Sequence, residues 1–336
     1  MAAVGGGSIA GLMVRTDRRG ERGVEYTTLG RTGLRVSVMG LGGGGHSRLG
    51  LGYGAGEENA EAVAREALNL GVNIIDTAES YGTEPAVGRA TEGCRRADLV
   101  LCTKKTPTRD GAVIGPADLR SGLEESLRRL RTDYVDVYQL HGVSAALYEH
   151  ARDTLVPCLM KLREEGKVRF LGITEGFGAD PRHRMLSRAV GDDCWDVVMV
   201  GFNILNQSAR RRVLEITRSK GIGVLNMFAV RRAFSRPERL KEIVADLAKR
   251  SVVDAGSVDA HDPVGFLVGE RHAGCVTEAA YRFCRWEPGL DVVLCGTGSV
   301  EHLRANVRSL CMPDLPAQDR ARLEAMFARV DDVTGG

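Results

Sequence analysis

Eight short apolar runs punctuate the chain, at residues 36–41, 72–75, 99–102, 134–140, 168–173, 197–200, 222–227 and 292–295. Continuous apolar runs of this length suit strands covered on both faces. Between them lie segments with helical periodicity, among them EENAEAVAREALNLG, ADLRSGLEESLRRLR and LVPCLMKLREEGKV. In the second of these, Leu119, Leu123, Leu127 and Leu130 recur on one helical face, with charges on the others. Gly71, Gly166 and Gly221 each stand just before the next apolar run, where a helix C-terminal cap belongs. Eight strand–helix alternations predict an α/β fold, a (β/α)8 TIM barrel rather than an open doubly wound sheet. Ahead of the first run, EYTTLGRTGLRVS reads as an N-terminal β-hairpin turning at 30–33. Residues 228–291, between the seventh and eighth runs, are far more than a turn and one helix need. They predict a long insertion with an extra helix and a loop on the catalytic face.

Composition narrows the function classes. The chain has 336 residues, 43% hydrophobic and 27% charged, with 46 Lys and Arg against 44 Asp and Glu. That excludes disorder of the whole, and a net charge of +2 gives no reason to expect nucleic acid. No apolar run reaches the roughly 20 residues of a membrane span. The eight cysteines form no CxxC pair and no metal-ligand spacing, which implies free thiols, a cytoplasmic setting and no metal site. Residues 1–24, glycine-rich and without a secretory pattern, read as a flexible tail in which Met13 is a second candidate start. Residues 25–330 read as one barrel domain. Oligomeric state cannot be read from the sequence.

Barrel active sites form at the C-terminal ends of strands. The second run ends in NIIDTAESYG, with Asp76 at the strand end and Tyr81 five residues on. The third ends in LCTKK, with Lys104 and Lys105, and the fourth in VYQLHG, with His141. A phenol titrates near pH 10, but an adjacent ammonium favours its phenolate, and a carboxylate holds that ammonium charged. A histidine beside them can hydrogen-bond a carbonyl oxygen. This is a proton-transfer site for a carbonyl or alcohol, with neither nucleophile nor metal. Singly, Asp76 and Lys104 would read as a structural ion pair and His141 as a satisfied core histidine. Four such groups at consecutive strand ends favour the chemical reading.

With these residues in place, the chain resembles the aldo-keto reductase superfamily. The likeness is carried by TLGRTGLRVSVMGLG (28–42), NIIDTAESYGTE (73–84), TKK (103–105), LRSGLEESLRRLRTDYVDVYQLHG (119–142), GKVRFLGIT (166–174) and GTGSVEHLRANV (296–307). The resemblance implies a catalytic tetrad of Asp76, Tyr81, Lys104 and His141. In it Tyr81 is the acid, Asp76 and Lys104 tune it, and His141 orients the substrate. Lys105 is expected at the surface or behind the site. The resemblance also implies a nicotinamide cofactor, NADP(H) ahead of NAD(H). Thr174 and Glu175 stand where the family carries Ser-Asn on the carboxamide, and Met199 stands where it carries Gln. Met227 or Phe228 takes the place of the stacking aromatic. Gly296, Thr297, Gly298, Ser299, His302 and Asn306 match the phosphate and adenosine segment. Gly296 and His302 replace frequent cations there, for which Arg304, or Arg231 and Arg232, are candidate substitutes.

The implied activity is NAD(P)H-dependent reduction of aldehydes and ketones. Two alternatives are an NAD(P)-dependent aldose dehydrogenase and a cofactor-binding regulatory subunit with little turnover. The glycine-rich 40–54 segment lacks a phosphate-loop spacing and reads as a mobile substrate-side loop, with His46 or Tyr53 near substrate. Arg128, Arg129, Arg131 and Arg210 to Arg212 read as solvated helix faces. Trp195 and Trp286 read as packing residues.

Overall fold

The structure, a computed structural model, describes residues 23–336. Ten strands matter here. β1 (Tyr26–Thr28) and β2 (Arg35–Ser37) pair antiparallel as the expected hairpin. The barrel strands are β3 (Met39–Gly42), β4 (Ile74–Asp76), β5 (Val100–Lys105), β6 (Val135–Val143), β7 (Val168–Glu175), β8 (Val197–Gly201), β9 (Gly223–Met227) and β10 (Val292–Cys295). They form a closed barrel, and β10 returns to β3 through the parallel pairs Val293–Met39 and Cys295–Leu41. The fold is therefore the (β/α)8 TIM barrel that the alternating pattern predicts. Gly71, Gly166 and Gly221 have φ of 90°, 75° and 66°, the left-handed conformation that ends each preceding helix before its strand.

The first apolar run is not one strand. It divides at Val38, with Arg35–Ser37 in the hairpin and Met39–Gly42 in the barrel. Ser37 makes the break: its Oγ donates to the Met39 carbonyl at 2.6 Å and its N–H donates to Asn73 Oδ1 at 2.7 Å. The hairpin closes the barrel floor. Leu29, Leu34 and Val36 join Ile74, Val100, Val137, Val197 and Leu225 in one lumen cluster, separate from the larger core under the helices. Gly30 is the closest approach, since a Cβ there would lie 2.3 Å from the Gly223 nitrogen. The hairpin turn therefore requires glycine.

Residues 228–291 hold the helices Pro237–Lys249 and Val276–Arg285, joined by a long, mostly irregular segment. Residues 1–22 of the expected tail lie outside the described residues, and Val24 is buried. Two of the arginines read as solvated faces pair with buried carboxylates. Arg129 pairs with the buried Glu84 at 2.6 Å, and Arg210 pairs with the buried Glu287 at 2.6 Å. All eight cysteines are free, and no cluster of metal-binding side chains occurs among the described residues. No helix there is long and apolar enough to cross a membrane.

Candidate active site

Strand alternation aims three chemical groups into the upper lumen. On β4, Ile74 faces the lumen cluster, so Asp76 does too; on β5 Val100 and Cys102 carry Lys104 to the same face; on β6 Val137 carries Gln139 and His141. Tyr81 comes from the turn Glu79–Tyr81 after β4. Its ring lies against Gly44, where a Cβ would sit 2.5 Å from the phenol carbons, so the glycine-rich loop after β3 makes room for it.

The four groups form one hydrogen-bonded chain. Lys104 Nζ donates to Asp76 Oδ2 and to the Thr77 carbonyl, both at 2.7 Å, and reaches Tyr81 Oη at 3.5 Å. Tyr81 Oη is 3.0 Å from His141 Nε2, with the two rings edge to face. Asp76 and Lys104 are buried, while Tyr81 and His141 are partly exposed. Burial alone would lower the Lys104 ammonium, but Asp76 and Tyr81 outweigh it and the net shift is upward, so Lys104 stays charged. His141 is pushed down to about 3 by burial and by the Lys104 charge, and is neutral at physiological pH. Its Nδ1 has no partner, which leaves Nε2, beside Tyr81 Oη, as the ring nitrogen engaged in the site.

Tyr81 corrects the expectation of a lowered phenol. Burial raises it more than Lys104 lowers it, and the net shift is upward. At neutral pH the group is a protonated phenol, suited to giving a proton rather than taking one.

Two further groups support the four, of which Gln139 was not singled out from sequence. Gln139 Nε2 donates to Asp76 Oδ1 at 3.1 Å. Lys105, expected at the surface or behind the site, is buried and pairs with Glu79 at 2.6 Å, tying β5 to the turn that carries Tyr81. The alternation that places His141 in the lumen also places Gln139 there. Nothing in the sequence marks Glu79 as the partner of Lys105.

The cofactor candidates scatter more widely. Thr174 Oγ1 accepts from the Gly142 N–H at 2.7 Å, holding the bulged end of β6 behind His141 and keeping its own proton to donate. Glu175 is buried, accepts from His183 Nδ1 at 2.9 Å and from the Gly201 N–H at 2.8 Å, and is thereby tied to the β8 end. Burial pushes its carboxyl up, against the pull of His183 and Gly201. Met199 is buried in the lumen cluster, while Met227 and Phe228 are partly exposed. Phe228 stacks on Phe177 and under the Arg231 guanidinium, 4.3 Å from its ring centre.

At β10, Gly296 is exposed and Thr297 buried. Ser299 Oγ accepts from the His302 N–H at 3.2 Å and caps the helix Val300–Leu310. His302 is exposed and Asn306 partly exposed on that helix. Arg304 is committed to Glu66 at 2.7 Å. The 40–54 loop, which lies against Tyr81 at Gly44, also packs on this segment. Asn59 bridges the Leu49 and Gly298 carbonyls at 3.0 Å, and Tyr53 lies beside Gly298. That loop also brings in Arg48, exposed and without an acidic partner among the described residues.

A closed parallel barrel with a lysine-backed tyrosine at its strand ends defines a barrel oxidoreductase. The aldo/keto reductase family model matches residues 39–327, and the chain belongs to that family. It is an NAD(P)-dependent oxidoreductase. It is 28% identical over 326 residues to the L-galactose dehydrogenase of Arabidopsis thaliana, covering 92% of this chain and 95% of that protein. It is 31% identical over 223 residues to an uncharacterized oxidoreductase, YrpG, of Bacillus subtilis, covering 60% of this chain and 65% of that one. Its fold matches an aldo-keto reductase from Bacillus halodurans in its holo form, with TM-score 0.70, 24% identity and coverage of 93% and 98%. It also matches an aldo/keto reductase from Klebsiella pneumoniae in complex with NADP and acetate, with TM-score 0.63, 22% identity and coverage of 91% and 99%.

Proposed function

We propose that the protein reduces aldehydes or ketones to alcohols, with Tyr81 as the proton donor. The observation that carries this reading is the placement of Tyr81 Oη, between Lys104 Nζ at 3.5 Å and His141 Nε2 at 3.0 Å. The strand ends fit a nicotinamide dinucleotide. Thr174 keeps a hydroxyl proton for the carboxamide, and Met227 offers a partly exposed apolar side chain. Arg48 and Arg231, without carboxylate partners among the described residues, offer cations for phosphates. A bound reduced nicotinamide supplies the hydride. The chain's own residues do the rest. Neutral His141 donates from Nε2 to the carbonyl oxygen and orients it. Tyr81 Oη passes its proton to that oxygen, and the Lys104 ammonium stabilises the phenolate left behind. Asp76 keeps Lys104 charged and in place.

NADP(H) remains ahead of NAD(H) in this reading. Arg304 is spent on Glu66, so Arg48, in the loop packed on Gly296 and Gly298, takes the place of the 2′-phosphate partner. A second reading, oxidation of an aldose, draws on the nearly full-length likeness to an L-galactose dehydrogenase.

The test is steady-state oxidation of NADPH and NADH with aldehydes and ketones, and reduction of NADP+ and NAD+ with aldoses, beside Tyr81→Phe. The expected outcome is turnover that falls by several orders of magnitude in Tyr81→Phe. Cofactor binding without turnover would favour the regulatory-subunit reading. Turnover indifferent to Tyr81→Phe would overturn the tyrosine assignment.

A further inference from the structure

We infer that Gln139 is a positioning residue whose side-chain amide fixes the orientation of the buried Asp76 carboxylate toward Lys104. This rests on the proton-transfer reading above.

The two oxygens of Asp76 have different partners. Oδ2 accepts from Lys104 Nζ at 2.7 Å, and Oδ1 accepts from Gln139 Nε2 at 3.1 Å. Asp76 is only 3% exposed and Gln139 fully buried. Removal of the amide would leave an anionic oxygen buried and unpaired, and the carboxylate free to turn away from Lys104. The amide is also not a packing solution. Its Oε1 is buried without a partner, a cost an apolar side chain would avoid. Room for it comes from Gly172 on β7, where a Cβ would come within 2.6 Å of Gln139 Cγ. A buried amide with one end unsatisfied, given space by a glycine and aimed at the carboxylate that anchors Lys104, is placed for its electrostatics.

The groups facing this position are Asp76 from β4, Cys102 and Lys104 from β5, His141 from β6 and Tyr81 from the following turn; β7 presents Gly172. Gln139 touches neither Tyr81 nor the reacting atoms. It acts through Asp76 and then Lys104.

The experiment compares kcat and KM across pH for wild type, Gln139→Leu, Gln139→Glu and Tyr81→Phe, with cofactor binding followed by fluorescence. In Gln139→Leu, kcat should fall by about tenfold to a hundredfold, the scale of a misaligned catalytic group, with carbonyl KM and cofactor affinity little changed. Gln139→Glu keeps the shape but can donate to Asp76 only when protonated. Its kcat relative to wild type should therefore rise as pH is lowered, which a packing defect would not produce. Either variant within twofold of wild type at every pH, or a Gln139→Glu ratio flat with pH, overturns the role. If those results came with an inactive Tyr81→Phe, the proton-transfer reading would survive and only Gln139 would lose its part. If Tyr81→Phe matched wild type, both would fall.

Discussion

Replacing Lys104 with methionine isolates the energetics of the buried pair from catalysis. Lys104 has no side-chain exposure and Asp76 5%, and their contact is 2.7 Å. Methionine fills similar volume but leaves Asp76 with only the Gln139 amide. An unpaired charge left in such a site costs about 3–5 kcal/mol. For a domain of this size that lowers Tm by roughly 5–10 °C. The sign of the pH dependence follows from Asp76. Burial already raises its carboxyl, against the opposing pull of Lys104 and Gln139, and loss of Lys104 removes the larger opposing contribution. A group raised in the folded state loses its contribution as pH rises through the folded value and keeps it below the unfolded one. Lys104→Met should therefore be most destabilised, relative to wild type, at neutral and higher pH, and recover toward wild type as pH falls. Thermal or urea unfolding across pH 5–8 reads this directly. Adding Asp76→Leu should restore most of the loss, because removing both charges removes the unpaired one. A single variant as stable as wild type at pH 7, or a double variant no better than the single, would refute the reasoning.

Two other groups give predictions of a different kind. Burial pushes Asp291 up to about 6, only partly offset by backbone donors that include the Val224 N–H at 2.8 Å. Its contribution is lost as pH rises through that value, so Asp291→Asn, which still accepts from Val224, should be more stable than wild type at pH 8 by about 2–3 kcal/mol and nearly equal at pH 4, by urea unfolding. Arg48→Gln should raise the KM for NADPH by about tenfold, the scale of one charge-assisted phosphate contact, and leave the KM for NADH unchanged; an equal effect on both would place Arg48 away from the 2′-phosphate.

The sequence made the barrel legible because strands covered on both faces cannot hide their apolar runs. It also brought the four candidate residues together, since strand alternation and chain order put Asp76, Lys104 and His141 on one face. What it did not disclose depends on partners distant in sequence. Whether Lys105 lay at the surface or behind the site stayed open because its partner Glu79 lies 26 residues away. Glu175 was an open substitution because His183, its partner, sits across a loop and carries no pattern of its own. The phenol of Tyr81 was expected to be lowered because Lys104 could be read from the sequence and the degree of burial could not. The 40–54 loop was read as a substrate-side loop, and its packing on Gly298 was not legible because Gly298 lies far along the chain.

The floor hairpin has a consequence for how the chain is made. Leu29, Leu34 and Val36 are synthesised well before Leu225 and Val292, which belong to their seat, and Gly30 fits only against Gly221 and Gly223. On a ribosome adding about 5–20 residues per second, roughly 10–50 s pass between the emergence of the hairpin and that of the strand completing its seat. Through that interval three apolar side chains lack the rest of their seat, so a hairpin made before any barrel strand is among the last elements to find its place.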